Sequence, residues 1–166
     1  DYEIKVVHSG QTYIGTTQFI PVPPILKAEQ GNKTLFSGDE TEIILTFQDL
    51  PERDDYYLYD FGRNIYRPIE DRFFQGEAFV FSHFYTSDEV AVGDLITIKA
   101  HGVSVAYYDY FNLILSLTDG NGGPFQSLPA SSRGNMVNIT EPDNYPLGFF
   151  FISESDQRQL LIEDLN

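Results

Sequence analysis

Glu42-Ile43-Ile44-Leu45-Thr46-Phe47, closed by Asp49-Leu50-Pro51, is the stretch on which the fold turns. β-Branched and aromatic side chains pack well on a pleated surface, and a proline just beyond them cannot continue a ladder, so this run reads as a strand with a firm stop. The same grammar repeats outward. Strands are expected over 56–59, 65–68, 77–85 and 95–100, with Gly62-Arg63-Asn64, Gly76 and Gly93-Asp94 as turn signals between them. The 14 Phe and 11 Tyr, 15% of the chain, supply the large side chains that such strands bury.

Upstream, Tyr2, Ile4 and Val6 alternate with Glu3, Lys5 and Val7. The run His8-Ser9-Gly10-Gln11 reads as a turn, and the chain returns over 13–19, so residues 1–20 form a hairpin with Gly in its turn. Pro21, Pro23 and Pro24 forbid a ladder and hold residues 21–25 as a stiff connector. The domain proper is then expected over 26–166, beyond a boundary near 20–25. Downstream, one segment breaks the β pattern. Over 104–118, Tyr107, Tyr108, Phe111, Ile114 and Leu115 share one face of a helix, and Asp109, Asn112 and Ser116 another, with Ser104 as N-cap and Gly120 at the exit. The alternation in Ala78-Phe79-Val80-Phe81-Ser82-His83-Phe84 is apolar on both faces in part, and the helix is the natural cover for its outer side. Residues 119–145 read as a long loop, followed by a closing hairpin of 147–152 and 159–162. The expected fold is mainly β, sandwich-like or sheet plus helix, with one amphipathic helix near 104–118 packed on a sheet.

Composition excludes several functions. With 25 acidic and 10 basic residues the net charge is −15, and neutralising a nucleic-acid backbone requires clustered Lys and Arg that are absent. No apolar run approaches the roughly 18 residues of a membrane span. Zero cysteines remove disulfide scaffolds, zinc fingers, thiol nucleophiles and iron–sulfur sites together. A chain of 166 residues buries roughly 70% of its unfolded surface and needs no such staple.

Four motifs carry what chemistry there is. Gly102-Val103-Ser104-Val105-Ala106, between a strand and a helix and next to His101, has the setting of a hydrolase nucleophile elbow. Its last position is Ala, no repeated βαβ units surround it, and Ser104 already suits an N-cap. Asp119-Gly120-Asn121-Gly122-Gly123 resembles the opening of a calcium loop. Pro124 and Ala130 stand where such a loop needs Gly and Glu, which leaves Asp119 and Asn121 as weak candidate ligands. His8, His83 and His101 have no metal spacing, and adjacent carboxylates such as Asp54-Asp55 point to opposite faces of a strand. Finally, Tyr56-Tyr57-Leu58-Tyr59-Asp60-Phe61, flanked by Arg53 and Arg63, reads either as a stacking platform for a sugar or protein partner or as an ordinary packed strand. The candidate binding residues are Tyr56, Tyr57, Tyr59, Phe61, Arg63 and Arg67. No cofactor is expected.

Gly123-Pro124-Phe125, then Gly134-Asn135, Asn138-Ile139 and Leu147-Gly148-Phe149-Phe150, with the helix before them and the hairpin leading into Pro21-Val22-Pro23-Pro24-Ile25, resemble a Bacteroidetes family of outer-membrane lipoproteins known only as a domain of unknown function. The resemblance spans nearly the whole chain and rests on turn and packing residues. It implies an exported surface lipoprotein domain, often encoded near TonB-dependent receptors, with no established enzyme activity. An outer-membrane receptor or its ligand is the implied partner. The hairpin would be the last of an N-terminal immunoglobulin-like domain. Family members carry a signal peptide and a lipid-bearing cysteine, so this chain reads as a fragment, touching the membrane only through an anchor it lacks. The expected function is a non-enzymatic accessory or binding module that recognises its partner through exposed aromatics and the 56–67 and 119–145 segments. The alternatives are a calcium-dependent glycan-binding module and a serine hydrolase using Ser104.

Overall fold

The computed structural model describes residues 1–51, 53–71, 76–118 and 133–165. Among them the chain forms four sheets and one helix, and it divides into two compact units, Asp1–Ile20 with Val103–Glu154 and Pro21–Gly102 with Ser155–Asn166.

The larger unit is a β-sandwich. One sheet has the order β4 (Ile25–Gln30), β5 (Thr41–Gln48), β8 (Ala78–Tyr85). The other runs β12 (Ser155–Leu161), β9 (Leu95–Val103), β6 (Tyr56–Asp60), β7 (Tyr66–Glu70). The decisive stretch is the central strand of its sheet. With a side-chain period of two, Ile43, Leu45 and Phe47 all point inward and are completely buried. Register then sets their neighbours: Ile43 opposes His83, Leu45 opposes Phe81 and Phe47 opposes Phe79. From the facing sheet, Tyr57, Tyr59, Phe61, Ile96, Ile98 and Ala100 complete the core. Burying each such side chain contributes roughly 1.5–3 kcal/mol, and edge-to-face ring pairs add about 0.5–1.5 kcal/mol. On the outer face of β5, Glu42 is also buried. Burial opposes its charge, but the Ser82 hydroxyl (2.6 Å) and the Lys33 backbone N–H (3.0 Å) donate to the carboxylate and hold its pKa below the usual range.

The expected hairpin is present as β1 (Tyr2–His8) and β2 (Gln11–Thr17), with His8 opposite Gln11. Ser9 and Gly10 both have positive φ, 49° and 77°, the two-residue turn whose twist matches flanking strands. A third strand, β10 (Met136–Asn138), pairs with β2, so the hairpin shares its sheet with residues more than a hundred positions away. Residues 119–145 are therefore not loop throughout. The helix α1 (Val105–Thr118) has Ser104 at its N-cap: the Ser104 hydroxyl accepts from the Tyr107 N–H at 3.2 Å. Its one buried residue, Tyr107, packs on Phe149 and Phe151. The helix thus belongs to the smaller unit, and within the larger unit Val80 of β8 is 56% exposed.

The closing hairpin does not form. β11 (Ile152–Ser153) pairs in parallel with β3 (Phe19–Ile20), and β12 lies antiparallel to β9 with Ser155 opposite His101. The turn expected at 153–156 is instead a passage from one unit to the other. β4 also begins at once after the prolines, and Val22 and Ile25 both enter the sandwich core.

Candidate functional site

The aromatic run does not make a stacking platform. Tyr57, Tyr59 and Phe61 are at most 1% exposed, because β6 is an interior strand of its sheet and its odd-numbered side chains face β5. Phe47 contacts both Tyr57 and Tyr59 with ring centroids 5.6 Å apart, and Phe61 stacks on His83 at 4.0 Å. The Tyr57 hydroxyl donates to Asp49 Oδ1 at 2.6 Å. Tyr56, half-buried, donates across the strand pair to Glu70 at 3.4 Å. Arg63 sits in the left-handed turn Gly62-Arg63-Asn64 and pairs with Asp94 at 2.6 Å. Arg67, on the edge strand β7, donates to the Ser82 carbonyl of β8 at 2.9 Å and lies 5.0 Å over the Phe81 ring. Among the described residues β7 and β8 each end their sheet, and Arg67 places a charge there. The six candidates thus serve the sandwich, three as core.

Ser104 is engaged as the helix cap. Asp119 and Asn121, with Gly120 and Gly123-Pro124-Phe125, lie outside the described residues. Among the described residues no group of three or more His, Asp and Glu side chains could hold a metal ion. Three buried carboxylates that the sequence did not signal do gather near strand ends. Asp49 follows β5, Asp55 precedes β6 and Asp71 follows β7. Asp49 accepts from Tyr57 and from the Gly76 N–H at 2.8 Å, and Asp55 accepts from Arg53 Nε at 2.7 Å. Burial pushes the Asp55 carboxyl up in spite of the Arg53 guanidinium. What they share in the sequence is an Asp immediately next to a strand end.

The histidines differ. His8 is exposed on β1, while burial, aided by Lys99, lowers the His101 pKa. His83, between Phe61 and Tyr85, is pushed down to about 4, by burial first and by the Arg67 guanidinium second. Between pH 6.5 and 4 the unfolded chain therefore binds a proton at this position that the folded chain refuses, and His83 makes stability fall as pH falls through that window. Denaturant titrations at pH 7 and pH 4.5 are expected to show a larger loss for the native chain than for His83→Phe. Equal losses would show that His83 is not the group responsible.

An open cleft forms in the smaller unit. Val6, Tyr13, Met136, Tyr145, Pro146 and Leu147 line a volume of about 290 Å³, with His8 and Asn144 as polar members. The strand register explains the floor: Val6 opposes Tyr13, and Met136 opposes Gly15, so these side chains share one face. Beneath them Gln11 Oε1 accepts from the Tyr13 hydroxyl (2.7 Å), Asn144 Nδ2 (2.8 Å) and Asn138 Nδ2 (2.9 Å). Asn138, itself buried, accepts from the Thr140 and Glu141 N–H groups, which ties the floor to the 139–144 turn. On the wall, the Arg133 guanidinium lies 3.6 Å over the Tyr145 ring and Leu147 remains 73% exposed. Such a cleft has the chemistry to receive an apolar or aromatic group. Sequence reasoning reached Met136, Asn144 and Tyr145 through the 119–145 segment. The hairpin brings Val6 to Tyr13 locally, and the pairing of β10 with β2, over more than 120 positions, sets Met136 beside them.

The chain is thus a two-unit β protein, a sandwich joined in sequence to a three-stranded sheet with an apolar cleft. It belongs to the family described as Domain of unknown function (DUF4249), whose model matches residues 1–159. No curated protein and no solved structure matches it. Gly134-Asn135 and Leu147-Gly148-Phe149-Phe150, which carried the resemblance, have structural roles. The Asn135 side chain donates to the Thr16 and Phe150 carbonyls and accepts from the Phe150 N–H, each at 2.8–2.9 Å, which pins one strand to the segment after the cleft.

Proposed function

We propose that this domain is a non-enzymatic binding module of an exported surface lipoprotein, accessory to uptake through an outer-membrane receptor. The observation that supports the reading is the cleft of Val6, Tyr13, Met136, Tyr145, Pro146 and Leu147, an apolar surface left open on a strongly acidic chain. Exposed apolar side chains gathered in a concavity are characteristic of recognition surfaces. The family resemblance supplies the setting, a surface protein encoded beside TonB-dependent receptors. Ser104 is occupied as a helix cap, and Tyr57, Tyr59 and Phe61 are core residues, so recognition falls to the cleft rather than to the aromatic strand.

The test is co-purification from native outer membranes. The native chain is expected to recover a TonB-dependent receptor, and Leu147→Asp, which places a charge on an exposed wall and leaves the core untouched, is expected to reduce recovery at least ten-fold. Recovery of no receptor, or equal recovery by the variant, would overturn the proposal.

A further inference from the structure

We propose that His83 is an acid-operated latch between the two sheets of the sandwich: when its imidazole takes a proton from water, the ring leaves its pocket and the β7–β8 side opens. β8 belongs to one sheet, β6 and β7 to the other. Two hydrogen bonds tie the sheets on this side. Arg67 of β7 donates to the Ser82 carbonyl at 2.9 Å, and the Tyr85 hydroxyl donates to the carbonyl of Phe61, the residue after β6. His83 stands between the two β8 ends of these bonds. With a side-chain period of two it shares the inward face of Phe81 and Tyr85.

The pocket suits a neutral ring. Phe61 stacks on the imidazole at 4.0 Å, and Tyr85 meets it edge-on at 4.6 Å. Nε2 is buried, and among the described residues it has no hydrogen-bond partner. An imidazolium donates from both nitrogens, so its charged Nε2 N–H would be left without an acceptor, which is costly in a buried place. Among the described residues the charged groups acting on the ring are the Arg67 guanidinium from β7 and the Glu89 carboxylate from the turn after β8, and the guanidinium has the larger effect. Phe61 of β6 and Ile43, opposite on β5, carry no charge, and burial keeps the Tyr85 hydroxyl neutral. Stacking on Phe61 offers a cation some compensation. Burial and Arg67 prevail, and the ring resists protonation down to about pH 4, against an ordinary value of 6.5.

Opening removes the conflict. Arg67 is exposed and can turn into water, which frees the Ser82 carbonyl, and the His83 ring can then follow toward Glu89. Its departure takes the stack off Phe61, whose carbonyl holds Tyr85, so both ties between the sheets loosen together. In the open form His83 titrates at its ordinary value. Between pH 6.5 and about 4 the open form therefore binds a proton that the closed form refuses, and each pH unit of acidification favours opening about ten-fold. Acid then uncovers the rings of Phe61, Phe81 and Tyr85, which are buried in the closed form.

Global unfolding releases the same ring, so acid lowers overall stability as well. The latch adds a local route, confined to β7 and the 82–85 end of β8. It lies wholly in the larger unit and does not rest on the cleft.

Hydrogen exchange of the full chain, corrected for the intrinsic rate of each amide and repeated across low urea concentrations, tests the latch. Amides of β7 and of residues 82–85 are expected to exchange through an opening that urea barely changes, because a local opening exposes little surface. From about pH 7.5 to about pH 4.5 that opening is expected to become about 70-fold more frequent. His83→Phe keeps a ring and loses the proton site, and its opening is expected to change less than about three-fold over the same range. Arg67→Gln removes one tie together with the neighbouring charge. At about pH 7.5 it is expected to exchange faster than the native chain at the same amides and to respond less to acid, a check that stands even where His83→Phe folds poorly. Amides on this side that open only with global unfolding, a local opening indifferent to pH, an undiminished pH response in His83→Phe, or an Arg67→Gln variant identical to the native chain would each overturn the proposal.

Discussion

Phe47→Ala is expected to cost about 3–5 kcal/mol of stability, a large share of the ~5–15 kcal/mol that a domain of this size has in total. Phe47 is completely buried in β5, and among the described residues its ring meets Tyr57 and Tyr59 across the sandwich at 5.6 Å, Phe79 on the neighbouring strand at 5.7 Å and Phe81 at 6.3 Å. Truncation removes the transfer free energy of the ring and leaves a cavity whose walls are other rings, fixed by their own strands and poorly able to collapse. The loss is enlarged because the Tyr57 hydroxyl must keep its 2.6 Å bond to the buried Asp49, which prevents that ring from moving into the gap. Urea titration followed by tyrosine fluorescence or circular dichroism measures it. A loss below about 1 kcal/mol would mean that the two sheets repack freely and that the aromatic core is not the main source of cohesion.

Gly134→Ala is the second large effect, and it arises in the other unit from backbone rather than side-chain packing. A Cβ at Gly134 would collide with the Gly148 carbonyl oxygen and come within 3.1 Å of the Phe149 Cα. Neither atom belongs to a flexible side chain, so main chain has to move. Gly148 itself has φ of +116°, a conformation other residues rarely adopt. The neighbouring Asn135 makes three hydrogen bonds of 2.8–2.9 Å to Thr16 and Phe150, and a shift at Gly134 breaks that bridge as well. We expect a loss of about 3 kcal/mol or more. Hydrogen exchange locates it: protection should fall first in β1, β2 and β10. Unchanged protection in those strands would show that the 134 and 148 segments can separate without cost.

The elements that were legible in the sequence are those whose own residues dictate extension. The β5 stretch, the 56–59 and 77–85 runs and the hairpin at 2–17 all became strands, because β-branched and aromatic residues in alternation favour a pleated surface whatever lies across from them. The helix was equally plain from its periodicity and its Ser104 cap. β4 was not, since Leu26-Lys27-Ala28-Glu29-Gln30 has weak strand propensity and is extended only because β5 offers it a ladder. β10 and β11, of three and two residues, exist for the same reason.

The candidate site divides along the same line. Tyr56 to Phe61 could be recognised as an unusual strand from composition alone, yet whether its rings meet a ligand or Phe47 depends on a second sheet that the local sequence does not encode. The cleft was less visible still. Val6 and Leu147 are unremarkable residues until β2 pairs with β10 and the bridge between Arg133 and Leu147 brings the 144–147 segment over them.

By itself, then, the sequence determined a mostly β chain with one helix, an acidic surface unsuited to nucleic acid, and a resemblance to its family. Only the tertiary structure decided which aromatics are core, which prolines lead straight into a strand, and where an apolar surface stays open. The physical reason is range. Propensity, turn chemistry and capping act within a few residues, whereas burial is decided by partners that the chain brings together from opposite ends.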